Sequence, residues 1–154
     1  YLPATDAQKA DTSEPSSVQC GDGGKILVMD DEPSILSVME GILRRLGYEC
    51  VCVSNGDEAV IEYRKAVAGG APFCLAILDL TIRGGMGGLD TAEKLHELDP
   101  GLRIMVASGY SSDPVMADHT AYGFCYALSK PFTLSDVEKA LAAIFGDGSS
   151  RKAA

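Results

Sequence analysis

The sequence predicts an α/β domain built on a five-stranded, doubly wound parallel sheet. Short aliphatic or β-branched segments alternate five times with amphipathic segments, which is the pattern of a parallel sheet covered by helices. Three of the short segments, KILVM, FCLAIL and RIMVA, are apolar throughout, as buried central strands are. The chain has 154 residues, of which 46% are hydrophobic, so it has room for a single such domain and a tail.

Each predicted strand is followed by the start of a helix. The first helix begins at Pro33, which suits a first helical turn, and stops at Gly47. Asn55 and Glu58 form a capping box for the second helix, which ends at residues 69–72. The third helix spans about Leu89–Leu98. The predicted strands are Lys25–Met29, Glu49–Val53, Phe73–Leu78, Arg103–Ala107 and Cys125–Leu128.

The last two helices have their own start signals. Asp113-Pro114 precedes a short fourth helix near Val115–Thr120, and Thr133 with Asp136 caps the fifth. Residues 5–24 are rich in Ser, Asp, Gly and Pro, so they bury too little surface to offset chain entropy. We therefore expect a flexible linker over 1–24, the domain over 25–146 and a disordered tail over 147–154.

Charge and cysteine content limit the classes of function. The formal net charge of −9 disfavours binding to nucleic acid or to an anionic membrane surface. No apolar segment approaches the roughly 20 residues of a membrane-spanning helix. The five cysteines are an odd number without metal-ligand spacing, which favours a reducing cytoplasm and small buried hydrophobic side chains.

Chemically reactive side chains follow four of the five strands. Carboxylates follow the first and third strands, and a hydroxyl and a lysine follow the fourth and fifth; they belong to Asp30, Asp31, Asp79, Ser108 and Lys130. With the common strand order 2-1-3-4-5, the first and third strands are neighbours at the point where strand order reverses, so the three carboxylates share one pocket. Such a cluster needs a cation to remain charged at neutral pH.

The cation that best matches this cluster is Mg²⁺. It prefers oxygen ligands, keeps several waters and is usually completed by a phosphate. Lys130 can neutralise the same phosphate, and the Ser108 hydroxyl can donate to another of its oxygens. A carboxylate, a metal, a lysine and a hydroxyl together indicate phosphoryl transfer with an aspartate as nucleophile.

The ordered set ILVMDDEP, AILDL, IMVASGY and LSKPF resembles the response-regulator receiver domain of two-component signalling over about residues 25–146. The resemblance implies a flavodoxin-like (βα)5 fold in which Asp79 is phosphorylated by a phosphohistidine donor and the domain catalyses its own phosphorylation and dephosphorylation. It implies that Asp30, Asp31, Asp79 and the Thr81 backbone carbonyl hold Mg²⁺. It also implies that Ser108 is the switch hydroxyl, that Lys130 contacts the phosphate, and that Lys130–Pro131 is a cis peptide.

The segments DLTIRGGMGG and SGYSSDPVM resemble receiver domains at the C-terminus of hybrid sensor histidine kinases, and YLPA resembles the last strand of a kinase ATP-binding domain. By this resemblance residues 1–4 are a remnant of that domain and residues 5–24 a tether. The implied partners are a histidine kinase or histidine phosphotransfer domain and a downstream protein. The implied location is the cytoplasm, with a parent chain that can be membrane-attached.

The sequence departs from the family pattern near the expected output surface. Ala127 stands where the family usually has an aromatic residue that rotates on activation, and Arg83 stands where proline is common. Tyr110 and Thr81 occupy positions that tune dephosphorylation in the family. One alternative is therefore a pseudo-receiver that signals by protein contact without phosphorylation. Another is an aspartate-nucleophile phosphohydrolase, which normally has a second acid where Thr81 stands.

Overall fold

In a computed structural model, which describes residues 24–110 and 112–145, the chain forms a five-stranded parallel sheet. The strand order is β2-β1-β3-β4-β5, as the sequence predicts. The linker expected over 1–24, except Gly24, and the tail expected over 147–154 lie outside the described residues. The strands are β1 (Lys25–Met29), β2 (Glu49–Val53), β3 (Leu75–Asp79), β4 (Arg103–Ser108) and β5 (Tyr126–Ser129).

In the part of the chain that the structure describes, five α-helices connect or follow the strands. The Asn55 side chain accepts a hydrogen bond from the Glu58 N–H at 3.0 Å, so the predicted cap of the second helix is confirmed. Thr133 and Asp136 bond to each other's backbone N–H at 3.2 and 2.9 Å, which completes a capping box. The helices are α1 (Pro33–Arg45), α2 (Gly56–Ala68), α3 (Gly88–Leu98), α4 (Pro114–Ala117) and α5 (Leu134–Phe145).

Apolar side chains fill both faces of the sheet. Alternate residues of a strand point to opposite faces, so neighbours such as Ile77 and Leu78 enter different clusters. Residues of α2, α3 and α4 pack on one face, and residues of α1 and α5 pack on the other. The central strands β1, β3 and β4 are therefore almost fully buried, and polar side chains near them lie at the strand ends.

Several predicted elements differ from the structure in their bounds. The strand predicted over Cys125–Leu128 is shifted by one residue to Tyr126–Ser129, and the strand predicted over Arg103–Ala107 extends to Ser108. The strand predicted over Phe73–Leu78 is β3, which is shifted to Leu75–Asp79, so the acid is the last strand residue. The helix predicted near Val115–Thr120 stops at Ala117 and is followed by a separate 3-10 helix, His119–Tyr122. Asp118 separates the two with a non-helical backbone (φ −138°, ψ 60°), and its carboxylate accepts a hydrogen bond from the Thr120 hydroxyl at 3.5 Å.

The expectation for the cysteines was partly wrong. Cys74 is buried, with 5% of its surface exposed, but it is disulfide-bonded, contrary to the expected reduced state. Cys50 and Cys52 are half-buried free thiols, and Cys125 is an exposed free thiol just before β5. None of the helices in the described ranges combines the length and apolar character needed to cross a membrane.

Candidate functional site

Strand register brings the predicted site residues to one edge of the sheet. Met29 of β1 lies beside Leu78 of β3, so the next residues, Asp30 and Asp79, are also neighbours. The backbone ladder continues past the strands, because the Asp30 N–H donates to the Val53 carbonyl at 3.1 Å and the Lys130 N–H donates to the Ser108 carbonyl at 2.9 Å. These main-chain hydrogen bonds position the backbone of the functional residues independently of the contacts that their side chains make.

Lys130 links the first and third strands through its side chain. Its Nζ lies 2.7 Å from Asp30 Oδ2 and 2.9 Å from Asp79 Oδ1. The side chains of Asp30 and Asp79 are 3% and 8% exposed and that of Lys130 is 18% exposed, so water screens these ion pairs weakly. The predicted cis peptide between Lys130 and Pro131 is confirmed.

Burial and charge shift the pKa values of this pair. Burial raises the pKa of Asp79 from 3.8 to about 6, and the hydrogen bond from Lys130 only partly opposes that effect. The negative charges of Asp30 and Asp31 raise it further. Burial alone would lower the pKa of Lys130, but its bonds to Asp30 and Asp79 outweigh burial and raise it. Lys130 is therefore a permanent cation, whereas Asp79 is charged mainly above pH 6.

The acidic cluster fits a hard divalent cation. Asp30, Asp31 and Asp79 each offer a carboxylate oxygen, and these oxygens lie within 4.8 Å of one another. Three carboxylates and one lysine leave a net charge of −2, which a divalent ion balances. Opposite ligands of Mg²⁺ are about 4.2 Å apart, since each Mg–O bond is about 2.1 Å, so small rotations of the side chains suffice.

Arg83 contacts the acidic cluster, an interaction that the sequence analysis missed. Its backbone N–H donates to Asp31 Oδ2 at 3.1 Å, and its guanidinium Nε lies 4.0 Å from the same oxygen. Because the side chain of Arg83 is 83% exposed, the ion pair itself contributes little. The backbone bond instead ties the loop after β3 to the acids after β1. No local sequence pattern predicts this contact, because it joins residues that are 52 positions apart.

Ser108 lies at the same edge, but it does not bond the acids. It is 2% exposed, and its Oγ accepts a hydrogen bond from the Tyr110 N–H at 3.0 Å. Its own hydroxyl hydrogen remains available for a further acceptor. Thr81 is exposed and follows Asp79 by two residues in the sequence. The predicted role of its backbone carbonyl as a metal ligand stays a prediction.

Gly88 packs directly against the backbone of Asp79. A Cβ atom at this position would lie 2.5 Å from the Asp79 carbonyl oxygen, so no other residue fits without displacement. Gly87 is also close, with 3.1 Å from such a Cβ to the Leu80 carbonyl oxygen. By contrast, Gly84 has a φ of +75° and open space around it. The start of α3 is thus held against the strand end that carries Asp79.

Comparison with known protein families agrees with this arrangement. The model of the response regulator receiver domain matches residues 26–142, which contain the whole sheet except Lys25 and every residue of the site. The chain belongs to the response regulator receiver family. It is therefore a receiver domain of two-component signalling, and its strand order and helices are those of a flavodoxin-like receiver fold.

Named relatives share this receiver domain. The chain is 29% identical over 113 residues to the response regulator receiver protein CpdR of Brucella abortus, covering 73% of this chain and 89% of that protein. It is 34% identical over 122 residues to the photosynthetic apparatus regulatory protein RegA of Cereibacter sphaeroides. That match covers 79% of this chain but 62% of RegA, so the similarity concerns only part of the longer protein.

A solved structure shares the fold at low sequence identity. The receiver domain of a sensor histidine kinase from Pseudomonas aeruginosa PAO1 superposes with a TM-score of 0.69 and 21% identity. The match covers 81% of this chain and 99% of that one. That structure has a magnesium ion coordinated in its active-site cleft. The sequence-based assignment to the receiver family and the predicted fold are both confirmed.

Proposed function

We propose that Asp79 of this receiver domain is the acceptor in a phosphorelay and that its phosphorylation changes binding to a partner protein. The observation that carries the proposal is the position of Lys130, which bonds both Asp30 and Asp79, the two buried members of the cluster of three acids. An acid with a pKa of about 6 is mostly a carboxylate at neutral pH, so Asp79 can act as a nucleophile without a separate base.

The reaction follows from these groups. A carboxylate oxygen of Asp79 forms a bond to the phosphorus of a phosphohistidine, and the bond from that phosphorus to the imidazole nitrogen breaks. The imidazole takes up a proton from water and leaves, and Asp79 becomes an acyl phosphate. Lys130 neutralises charge on the phosphoryl oxygens, and the Ser108 hydroxyl donates to one of them. Catalysis is therefore mainly positioning and electrostatic stabilisation.

Asp30, Asp31 and Asp79 are proposed to hold Mg²⁺ together with the Thr81 carbonyl. The donor set supports this assignment because it consists of oxygens, and the charge of the three carboxylates together with Lys130 is −2, which matches one divalent ion. When bound, Mg²⁺ supplies positive charge that offsets the repulsion between the phosphoryl oxygens and the acids. The similar receiver structure from P. aeruginosa has magnesium in its cleft, which is consistent with the proposal.

The output is proposed to be a shift in population of the surface around α4, β5 and α5. A cavity of about 250 Å³ lies on this surface beside Ala127, between β5 and the first turns of α5. Ala127 stands where the family usually has an aromatic residue, and the adjacent Tyr126 lines the same cavity. We propose that a downstream protein binds here, and that a histidine kinase or histidine phosphotransfer domain is the donor.

The parent protein is proposed to be a hybrid sensor histidine kinase. The similarity to the receiver domain of a sensor histidine kinase supports this placement, as do the loop segments after Asp79 and Ser108. A donor assay tests it: purified histidine kinase and phosphotransfer domains, labelled with phosphate, are each mixed with this domain. Rapid transfer from a phosphotransfer domain is the expected result, and transfer only from free kinases would favour a separate response regulator.

The acceptor is tested by intact mass after incubation with a small phosphodonor such as acetyl phosphate, with and without Mg²⁺. We expect one Mg²⁺-dependent phosphoryl adduct on the natural sequence, none on Asp79→Asn, and an unchanged adduct on Asp57→Asn, an exposed acid of α2. An adduct that survives in Asp79→Asn would place the acceptor elsewhere. If no adduct forms and a beryllofluoride phosphoryl mimic does not bind, the pseudo-receiver alternative is correct.

A further inference from the structure

Two thiols face each other on the edge strand, away from the acidic cluster. Cys50 and Cys52 are separated by one residue of β2, so both side chains point to the same face of the sheet. Their sulfur atoms lie 3.6 Å apart, within contact distance. Both thiols are half-buried, so solvent reaches each of them, and each has the other as its neighbour. The functional site uses neither of them.

Helix α1 covers this pair. The Cys52 thiol lies 3.9 Å from the Leu36 carbonyl oxygen, which fixes that side chain against the helix. Arg44 and Glu40, one turn apart on α1, form an ion pair at 2.9 Å and act electrostatically on both thiols. A hydrogen bond between the thiols lowers the pKa of Cys52 and raises that of Cys50. Cys52 is therefore favoured as the thiolate, and the neighbouring Cys50 keeps its proton.

A metal ion accounts less well for this geometry. A structural zinc site takes four protein ligands, and the pair supplies two. Within the described ranges, the group of three or more ligating side chains close enough to share an ion is the acidic cluster, not one that contains these thiols. Two adjacent thiols without a third ligand are instead suited to two-electron oxidation.

We propose that Cys50 and Cys52 are a redox-sensitive pair that forms a disulfide within β2 when exposed to a hydroperoxide. The Cys52 thiolate attacks a peroxide oxygen, the O–O bond breaks, and Cys52 becomes a sulfenic acid. The sulfur of Cys50 then attacks the sulfur of that sulfenic acid, a disulfide bond forms and water leaves. Both cysteines together lose two electrons and two protons, and hydrogen peroxide is reduced to two molecules of water.

The position in an edge strand makes this disulfide formable but easily reduced. Residues two apart in a strand have Cα atoms about 6.4 to 6.8 Å apart, at the upper limit of disulfide geometry, so closure requires the strand to bend. Among the strands of the described residues, β2 pairs with β1 alone, so it can bend without breaking a second ladder within that part of the chain. A strained disulfide is reduced more readily than a relaxed one, which is a property of regulatory pairs.

Peptide mapping tests the proposal on the intact domain. Trypsin cleaves after Arg45 and Arg64, so one peptide, Leu46–Arg64, contains both cysteines and no other. After brief treatment with dilute hydrogen peroxide and blocking of free thiols, we expect this peptide to be two hydrogens lighter and unblocked. Dithiothreitol should restore two free thiols. Circular dichroism before and after treatment checks that the domain stays folded.

Two variants and one internal control separate the outcomes. Cys50→Ser removes the second thiol, so a sulfenic acid at Cys52 should persist and be trapped by dimedone. Cys125 is an exposed free thiol and should not lose hydrogen in its own peptide. The proposal is overturned if Cys50 and Cys52 gain oxygens without joining, if they link separate chains, or if they stay reduced while Cys125 is oxidised.

Discussion

Replacing Asp79 with asparagine should stabilise the domain at neutral pH when divalent cations are removed. Asparagine has the shape of the protonated acid, so the variant lacks the cost of a buried charge. The pKa of Asp79 is about 6 in the folded domain and its ordinary value is 3.8. Between these values the folded state holds a proton that the unfolded chain has released, so the free energy of unfolding falls as pH rises.

The size of this effect follows from the two pKa values. A difference between 3.8 and about 6 corresponds to about 3 kcal/mol at pH 7.5, where the acid is charged in both states. At pH 5 the folded acid is mostly protonated and the unfolded acid mostly charged, so about half of that cost is present. We therefore expect Asp79→Asn to gain about 3 kcal/mol at pH 7.5 and about 1.6 kcal/mol at pH 5.

Urea unfolding in EDTA, followed by circular dichroism at both pH values, measures this difference. Asp57→Asn is the matched control, because it removes an exposed carboxylate from the first turn of α2 and costs at most about 1 kcal/mol. Equal stability of Asp79→Asn and the natural sequence at pH 7.5 would refute the reasoning. That result would mean that the attraction of Lys130 fully offsets the burial of Asp79.

Three further predictions concern the surroundings of Asp79. Lys130→Ala leaves two buried acids without their cation, so in EDTA at pH 7.5 it should cost about 3 to 5 kcal/mol by urea unfolding; a cost below about 1 kcal/mol would contradict this. Gly88→Ala should cost about 1 to 3 kcal/mol because its Cβ meets the Asp79 carbonyl, whereas Gly41→Ala, with open space in α1, should not destabilise the domain. Tyr110 is 68% exposed beside the site, and we expect it to shield the acyl phosphate; Tyr110→Ala should lose phosphate several-fold faster in a mass time course, and an unchanged rate would exclude shielding.

The central sheet and the cluster at its edge could be predicted from sequence because the signals are local. Apolar strands end directly in acids or a lysine, and the common strand order places those ends together. The sequence also announced the caps at Asn55 and Thr133, since each bonds a residue three positions ahead. The positions of the strand ends do not show which side chains bond to each other, so they do not predict that Lys130 contacts both Asp30 and Asp79.

Two kinds of feature were predicted less well: contacts between residues far apart in the sequence, and helix ends that depend on small differences in local backbone preference. The contact of Arg83 with Asp31 joins two loops whose approach only the folded sheet determines. The early end of α4 reflects a small local preference at Asp118 that helix-start signals do not reveal. The state of Cys74 was predicted wrongly because an odd cysteine count and an apolar strand say nothing about pairing.

The two kinds of glycine in the loop after Asp79 have a consequence for how the sequence of this loop can change. Gly88 and Gly87 lie against backbone atoms, whereas Gly84 lies in open space. Two different constraints therefore keep these positions glycine: there is no space for a side chain at 87 and 88, and the left-handed backbone at 84 strains any other residue. A designer who wished to alter partner choice or phosphate lifetime would keep all three glycines and vary the side chain of Arg83, which is 83% exposed and whose hydrogen bond to Asp31 comes from the backbone.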